Sequence, residues 1–232
     1  MKHLDEVLRH CAYRSGIVAP PPTQINGSEP VANPDPIMVA YGMPSGPLTE
    51  ILALSTPTLG NQKAPVLLVE FSDFTCGYCG RFYRETLPAL KAEYLNAGKV
   101  RFAYRDYPRD EKGWGLVAAH AARCAGEQGQ FWGMHDRLFD QHARLGTGII
   151  VKLAKDLKLN EKKFAACMDS EKHVPAIMAD RELATTTLGF LGTPGFLIVR
   201  TDGHRFADAL TIPGAVPYAT FQKEIERLLK KR

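Results

Sequence analysis

Hydrophobic and polar positions follow three different rhythms along the chain. Val66, Leu67, Leu68, Val69 and Phe71 make an almost unbroken apolar run that stops at Ser72 and Asp73. Such a short run, rich in strand-forming residues, predicts a central strand buried on both faces. Behind Cys76 the period lengthens. Phe82, Tyr83, Leu87, Leu90 and Tyr94 share one face of a helix reaching about Asn96, with a kink expected at Pro88 and a stop at Gly98. Val100, Phe102 and Tyr104 then alternate with Arg101 and Arg105, the period of a second strand, so this stretch reads as a βαβ unit.

Between Trp114 and Leu191 the strand signal vanishes and helical patches take over: Trp114 to Ala125, Phe131 to His142, Ile149 to Leu157, and two more starting behind Asn160 and Ser170, both expected as N-caps. Beyond them Phe196 to Val199 is an apolar strand. Asp202-Gly203 is its hairpin turn, Phe206 to Leu210 the partner strand, and Tyr218 to Leu229 an amphipathic terminal helix. The order is βαβ, helical block, ββα. Residues 1–60 differ. Leu4, Val7, Leu8 and Cys11 recur at helical spacing, and then prolines and glycines break any regular element over about 16–47. This segment reads either as a disordered tail or as an arm that mediates self-association.

Composition narrows the class. With 232 residues, 45% hydrophobic and 23% charged, the chain can build a sizeable core, which excludes a wholly disordered protein and a disulfide-stapled miniprotein. The net charge of +4 is spread out, apart from the closing Lys230, Lys231 and Arg232, and leaves no footprint for nucleic acid. No apolar run reaches the roughly 18 residues of a membrane span. Lys2, His3, Asp5, Glu6, Arg9 and His10 interrupt the apolar stretch that a secretory signal needs, so either a cytosolic protein or a start other than the natural precursor's is expected.

Five cysteines are too few for a disulfide scaffold. The informative pair is Cys76-Gly77-Tyr78-Cys79, placed where a strand hands over to a helix. Free N–H groups and the positive dipole end of the first turn stabilise a thiolate, so Cys76 is the expected nucleophile. Cys79, one turn deeper on the same face, is placed to resolve a mixed disulfide. Haem attachment would need histidine where Gly80 stands, and zinc would need a second close pair, whereas Cys124 and Cys167 stand singly. Reversible redox chemistry is the reading adopted over zinc or an inert bridge, with no metal and no cofactor beyond the Cys76–Cys79 pair itself.

Two further features sit around it. Gly192-Thr193-Pro194 precedes the strand at Phe196, where a cis proline would make a tight turn. Glu70 lies inside the apolar strand, a costly place for a carboxylate unless it has a task such as taking a proton from Cys79; the bland alternative is a strand-end glutamate reaching solvent. Asp73 is given a turn or cap role. His120, His135 and His142 lack a metal-binding spacing and read as surface or packed residues.

These segments resemble the DsbA-like branch of the thioredoxin superfamily over about residues 58–232. The resemblance rests on Val69 to Cys79, on Ala121 to Ala125 with Gln128 to Trp132, on Gly192-Thr193-Pro194, and on Gly214-Ala215. It implies an α/β thioredoxin fold with an inserted all-helical domain: residues 61–110 and 192–232 form the thioredoxin part, 111–191 the insertion. It implies a cis Pro194, and Thr193 offering backbone groups to an extended substrate beside Cys76, with Gly77 and Tyr78 also at the substrate site. Many members carry cysteines at the places of Cys124 and Cys167, so a structural bridge is set against two buried thiols; Cys11 is left over as a free thiol or an intermolecular partner.

The function the resemblance implies is thiol-disulfide exchange with cysteine-containing protein substrates, served by a redox partner that recharges the pair, outside the cytoplasm. Gly77-Tyr78 lacks the histidine of strongly oxidising members and looks like DsbC-type isomerases and the copper-resistance members, so an oligomeric isomerase working through residues 1–60 is the alternative. A chaperone-like module without turnover and a cytosolic relative acting on small dithiols or glutathione are the readings from other classes.

Overall fold

The computed structural model describes residues 57–202 and 205–230. The helix expected around Leu4 to Cys11, the proline-rich segment 16–47, Gly203 of the hairpin turn and the terminal Lys231 and Arg232 lie outside the described residues.

One five-stranded sheet runs in the order β1-β3-β2-β4-β5, with β1 at Thr58–Leu59, β2 at Val66–Ser72, β3 at Val100–Asp106, β4 at Gly195–Asp202 and β5 at Arg205–Pro213. β2 pairs in parallel with β3 and antiparallel with β4. All seven of its residues are buried, as its continuous apolar run requires. The strand expected at Phe196 to Val199 is longer at both ends because β2 offers partners from Gly195 to Arg200 and β5 carries the pairing on to Asp202, so backbone pairing outlasts the apolar run. β1, two residues long, is too short to show any period, yet it closes the edge of β3.

Helix α1 is a continuous helical run made of Gly77–Arg81, Phe82–Thr86, Leu87–Leu90 and Lys91–Leu95, the second and fourth pieces having wide π-type turns. Pro88 has no N–H to give to the preceding turn, and the wide turn at Phe82–Thr86 comes immediately before it. Gly98, at φ 68°, ends the run as expected. The inserted helices are α2 (Trp114–Gly126), α3 (Phe131–Asp140), α4 (Thr147–Asp156), α5 (Glu161–Ser170) and α6 (Val174–Glu182, extended by a π turn at Leu183–Thr187); α7 (Tyr218–Lys230) closes the fold. Asn160 caps α5 by accepting from the Lys163 amide. Ser170 is not an N-cap: it ends α5, because Glu171 turns left-handed at φ 51° and the Ser170 hydroxyl is committed to the Cys167 carbonyl.

The alternation of β2 sorts its side chains into two cores. Val66 and Leu68 face α1 and α7, where Phe82, Phe196 and Phe221 meet with ring centroids 4.5–5.5 Å apart. Leu67, Val69 and Phe71 pack on the other face against Leu183, Leu188 and Phe190. The inserted helices build a third core that takes in Phe74, Cys76, Cys79 and Tyr104. The Cys-Gly-Tyr-Cys segment thus lies in the seam between sheet and helical block.

The same seam holds a buried charge cluster. Arg123 of α2 reaches Asp106 of β3 and Asp180 of α6, both at 2.6 Å, and Arg105 faces Asp180 at 3.2 Å. It ties the insertion to the sheet on the strand next to β2.

Candidate active site

The loop between β2 and α1 is shaped by Asp73. Its carboxylate accepts from the Thr75 amide and hydroxyl (2.7 and 2.6 Å) and from the Arg109 amide (2.8 Å), and its carbonyl accepts from the Cys76 amide at 3.0 Å. Gly115 lets α2 approach this carboxylate, since a Cβ there would sit 2.6 Å from Asp73 Oδ1. Asp73 therefore fixes the backbone that presents Cys76 as the N-cap residue of α1.

Cys76 and Cys79 are both unpaired thiols here, and their environments differ sharply. The Cys76 sulfur is 3.4 Å from the Thr193 carbonyl. Hydrogen bonding from the Cys79 thiol lowers its pKa to about 6, against the opposing effect of burial; the Thr193 hydroxyl and the amides of Cys79 and Tyr78 add to the lowering. Cys79 is fully buried, and burial pushes its pKa well up, with the Cys76 thiolate and Glu70 adding to the shift.

Glu70 is buried within β2, where Ser72, two residues on and so on the same face, donates to Oε1 at 2.7 Å. Burial raises its pKa to about 8 despite that hydrogen bond, and the Cys76 charge adds to the rise. It does not reach solvent. Tyr104 stands beside Glu70 in register on β3, buried, with its hydroxyl lacking a hydrogen-bond partner among the described residues.

The Thr193–Pro194 peptide bond is cis, and Gly195 follows it as the first residue of β4. The ring of Phe190 lies against Gly195, where a Cβ would come within 2.6 Å, and Tyr107 donates to the Phe190 carbonyl at 2.9 Å. The proline turn is thus backed by the Phe190 ring from the segment leaving α6, which Tyr107, the residue after β3, holds by its hydrogen bond. Among the described residues, Tyr78 and Leu191 are the large apolar side chains left exposed. One lies inside the Cys-Gly-Tyr-Cys segment and the other just before the proline turn, so both belong to the segments that meet at Cys76.

Fold and loop therefore bring together Glu70, Cys76, Gly77, Tyr78, Cys79, Thr193 and Pro194. Cys124 and Cys167 are bonded to each other, joining α2 to α5 with Cα atoms 5.8 Å apart. His120 and His135 are both buried. His120 lies beside that bridge, and burial, with help from the nearby His173, pulls its pKa down to about 4. Three supporting residues escaped the sequence reading: Ser72, Gly195 and Gly115. Ser72 was discoverable, since a hydroxyl two residues from a strand carboxylate shares its face; the glycines serve contacts between distant segments that no local pattern encodes.

The family model described as thioredoxin matches residues 53–226. A protein of Rickettsia typhi named as a protein-disulfide oxidoreductase is 26% identical over 153 residues, covering 63% of this chain and 56% of that protein. The chain thus spans little more than half the length of that relative. Disulfide bond formation protein D of Bacillus subtilis is 25% identical over 181 residues, covering 75% of this chain and 77% of the relative. Among solved structures, alpha-DsbA1 of Wolbachia pipientis aligns with a TM-score of 0.68 at 26% identity, over 75% of this chain and 90% of that one. With the strand order, the cis proline and the Cys-Gly-Tyr-Cys segment all in place, the chain belongs to the thioredoxin superfamily, in its DsbA-like branch.

Proposed function

We propose that this protein is a thiol-disulfide oxidoreductase that oxidises cysteine pairs in protein substrates. The observation that carries the reading is the asymmetry of the two sulfurs: Cys76 has a pKa of about 6 beside the proline turn, while Cys79 is buried with its pKa raised. Starting from the oxidised pair, a substrate thiolate attacks Cys76, forming a mixed disulfide and expelling Cys79 as a thiolate. Cys79 then takes a proton, and Glu70, which holds its proton below about pH 8, is the group placed to give it. The substrate's second thiolate attacks the substrate sulfur of the mixed disulfide. This leaves the substrate oxidised by two electrons and Cys76 as a stabilised thiolate. A redox partner must then take two electrons from the pair to restore its disulfide.

Thiolate stabilisation favours the oxidising direction. At pH 7 a thiol with a pKa of about 6 is mostly ionised, which stabilises the reduced pair over one with an ordinary thiol and makes the disulfide a stronger oxidant. Thr193 and Pro194, with the exposed Tyr78 and Leu191 near them, serve as the contact surface for an extended substrate. The Cys124–Cys167 bridge fits work in an oxidising compartment outside the cytoplasm. No helix among the described residues is long and apolar enough to cross a membrane.

The test is disulfide formation in a reduced, unfolded protein. Cys76→Ser abolishes it, and so does Cys79→Ser, which cannot form the Cys76–Cys79 disulfide; offered a substrate that already carries a disulfide, the Cys76 thiolate of Cys79→Ser attacks it, releases one substrate thiolate and accumulates a mixed disulfide that separates on a non-reducing gel. Full oxidation by the Cys76→Ser variant would sink the reading. The isomerase alternative has one feature in its favour, the Gly77-Tyr78 dipeptide. It requires reshuffling of a scrambled protein by the reduced enzyme at rates above its oxidation of a reduced one.

A further inference from the structure

The bridge between α2 and α5 is surrounded by nitrogen and oxygen ligands. His120 precedes Cys124 by one helical turn on α2, and the ligand atoms of His120, Cys124 and Cys167 lie within 4.8 Å of one another, all three residues buried. Within the same limit Cys167 also meets His173 and Glu127, so its sulfur belongs to both groups. The rings of His120 and His173 are 5.6 Å apart. His120 Nε2 is buried with no hydrogen-bond partner among the described residues, a state that costs about 1–3 kcal/mol unless the nitrogen has another use.

We propose that Cys124, Cys167, His120 and His173 form a redox-gated binding site for a borderline-soft divalent cation of the Zn2+ class, closed while the disulfide stands and opened by a dithiol reductant. Two thiolates and two imidazoles are the donor set that such a cation takes in tetrahedral geometry. A dithiol supplies two electrons and becomes a disulfide; the Cys124–Cys167 bond breaks and each sulfur gains a proton. The cation then displaces those two protons as two metal–sulfur bonds form, and the imidazoles contribute lone pairs.

The outer shell is already present. Glu127 pairs with a His173 ring nitrogen at 2.7 Å and with Lys172 at 2.8 Å. A carboxylate accepting one ring N–H fixes the tautomer and leaves the other nitrogen as the donor to a cation. His173 and Glu127 are partly exposed, which gives an entry path that the buried sulfurs lack.

The test uses the full chain with Cys11, Cys76 and Cys79 changed to Ser, so that only the bridge cysteines remain; its outcome is then independent of the exchange activity proposed above. After reduction with a phosphine and its removal without oxygen, Co2+ is titrated, followed by Zn2+. The reduced protein is expected to bind one equivalent of Co2+, with thiolate charge-transfer bands and the visible bands of a tetrahedral site, and to release it to Zn2+. The unreduced protein shows none of this. His120→Ala or His173→Ala lowers Zn2+ affinity more than about tenfold, and Cys124→Ser/Cys167→Ser removes binding. Absence of binding by the reduced protein, or binding indifferent to both histidine variants, overturns the proposal. If reduction unfolds the chain, recovery of the helical far-ultraviolet signal on adding Zn2+ supports the site, and failure to recover overturns it.

Discussion

Glu70 shows how a single residue carries function against its own stability. A carboxyl with an ordinary pKa of 4.5 in the unfolded chain and about 8 in the folded one holds its proton only when folded across that interval. Between pH 4.5 and 8 the folded state therefore binds more protons, and stability falls as pH rises. Below pH 4.5 both states are protonated and the penalty disappears. At pH 7 it amounts to about 3 kcal/mol, taking 1.36 kcal/mol per pH unit. Glu70→Gln, compared with the unmodified protein with both kept reduced, should be more stable by about this amount at pH 7 and equal to it near pH 4, as read from urea midpoints. The Cys76 thiolate has the opposite linkage and is present in both proteins. A difference that does not change with pH would mean that Glu70 ionises normally. Substrate oxidation by the same variant should slow, since Cys79 loses its proton donor. The carboxylate was legible in the sequence as an acid inside an apolar run; that its partner is Ser72 and that Tyr104 stands beside it depended on the register of β2 with β3.

At the scale of elements, the apolar run of β2, the period of α1 and the turn at Gly98 could all be read from spacing. The ends of elements were read less well, for physical reasons. β4 extends as far as its partner offers hydrogen bonds, which no residue within β4 announces. Ser170 has a capping side chain but sits at a helix C-terminus, because a left-handed residue follows and its hydroxyl bonds back into α5. What joins the elements was invisible: Arg123, Asp106 and Asp180 are far apart in sequence and meet only because α2 and α6 pack beside the end of β3. Removing Arg123 takes from Asp106 the guanidinium paired with it and leaves Asp180 with Arg105. Arg123→Gln should therefore lower unfolding stability by about 3–5 kcal/mol at pH 7. The loss should shrink as the pH falls and Asp180, whose pKa burial raises to about 6, takes up a proton. A loss under 1 kcal/mol in denaturant melts would show that the cluster does not hold the insertion to the sheet.

For the whole molecule, the helical block does more than lengthen the chain: Phe74, Cys76 and Cys79 take part in its core, so the exchanging sulfurs are buried between it and the sheet. The Cys124–Cys167 bridge fastens two helices of that block across a separation of 43 residues. Closing a loop of that length is worth about 4 kcal/mol in the chain-entropy treatment. Cys124→Ser/Cys167→Ser should lower stability by about that amount, checked by guanidinium unfolding under oxidising conditions. An unchanged midpoint would show that the bridge adds nothing to the folded state.

Sequence alone determined the family-level frame: the βαβ, helical block, ββα order, and the Cys-Gly-Tyr-Cys segment at a strand-to-helix handover. These are local properties, written in the period of apolar residues and in the few residue types that can end a strand or begin a helix. The tertiary structure decided which distant groups act on each sulfur. It brought the Thr193 carbonyl to Cys76, set Glu70 near Cys79, and surrounded the Cys124–Cys167 bridge with two histidines and a glutamate. Electrostatics and ligation act through space, and the separations that govern them are fixed only when the sheet and the inserted helices pack together.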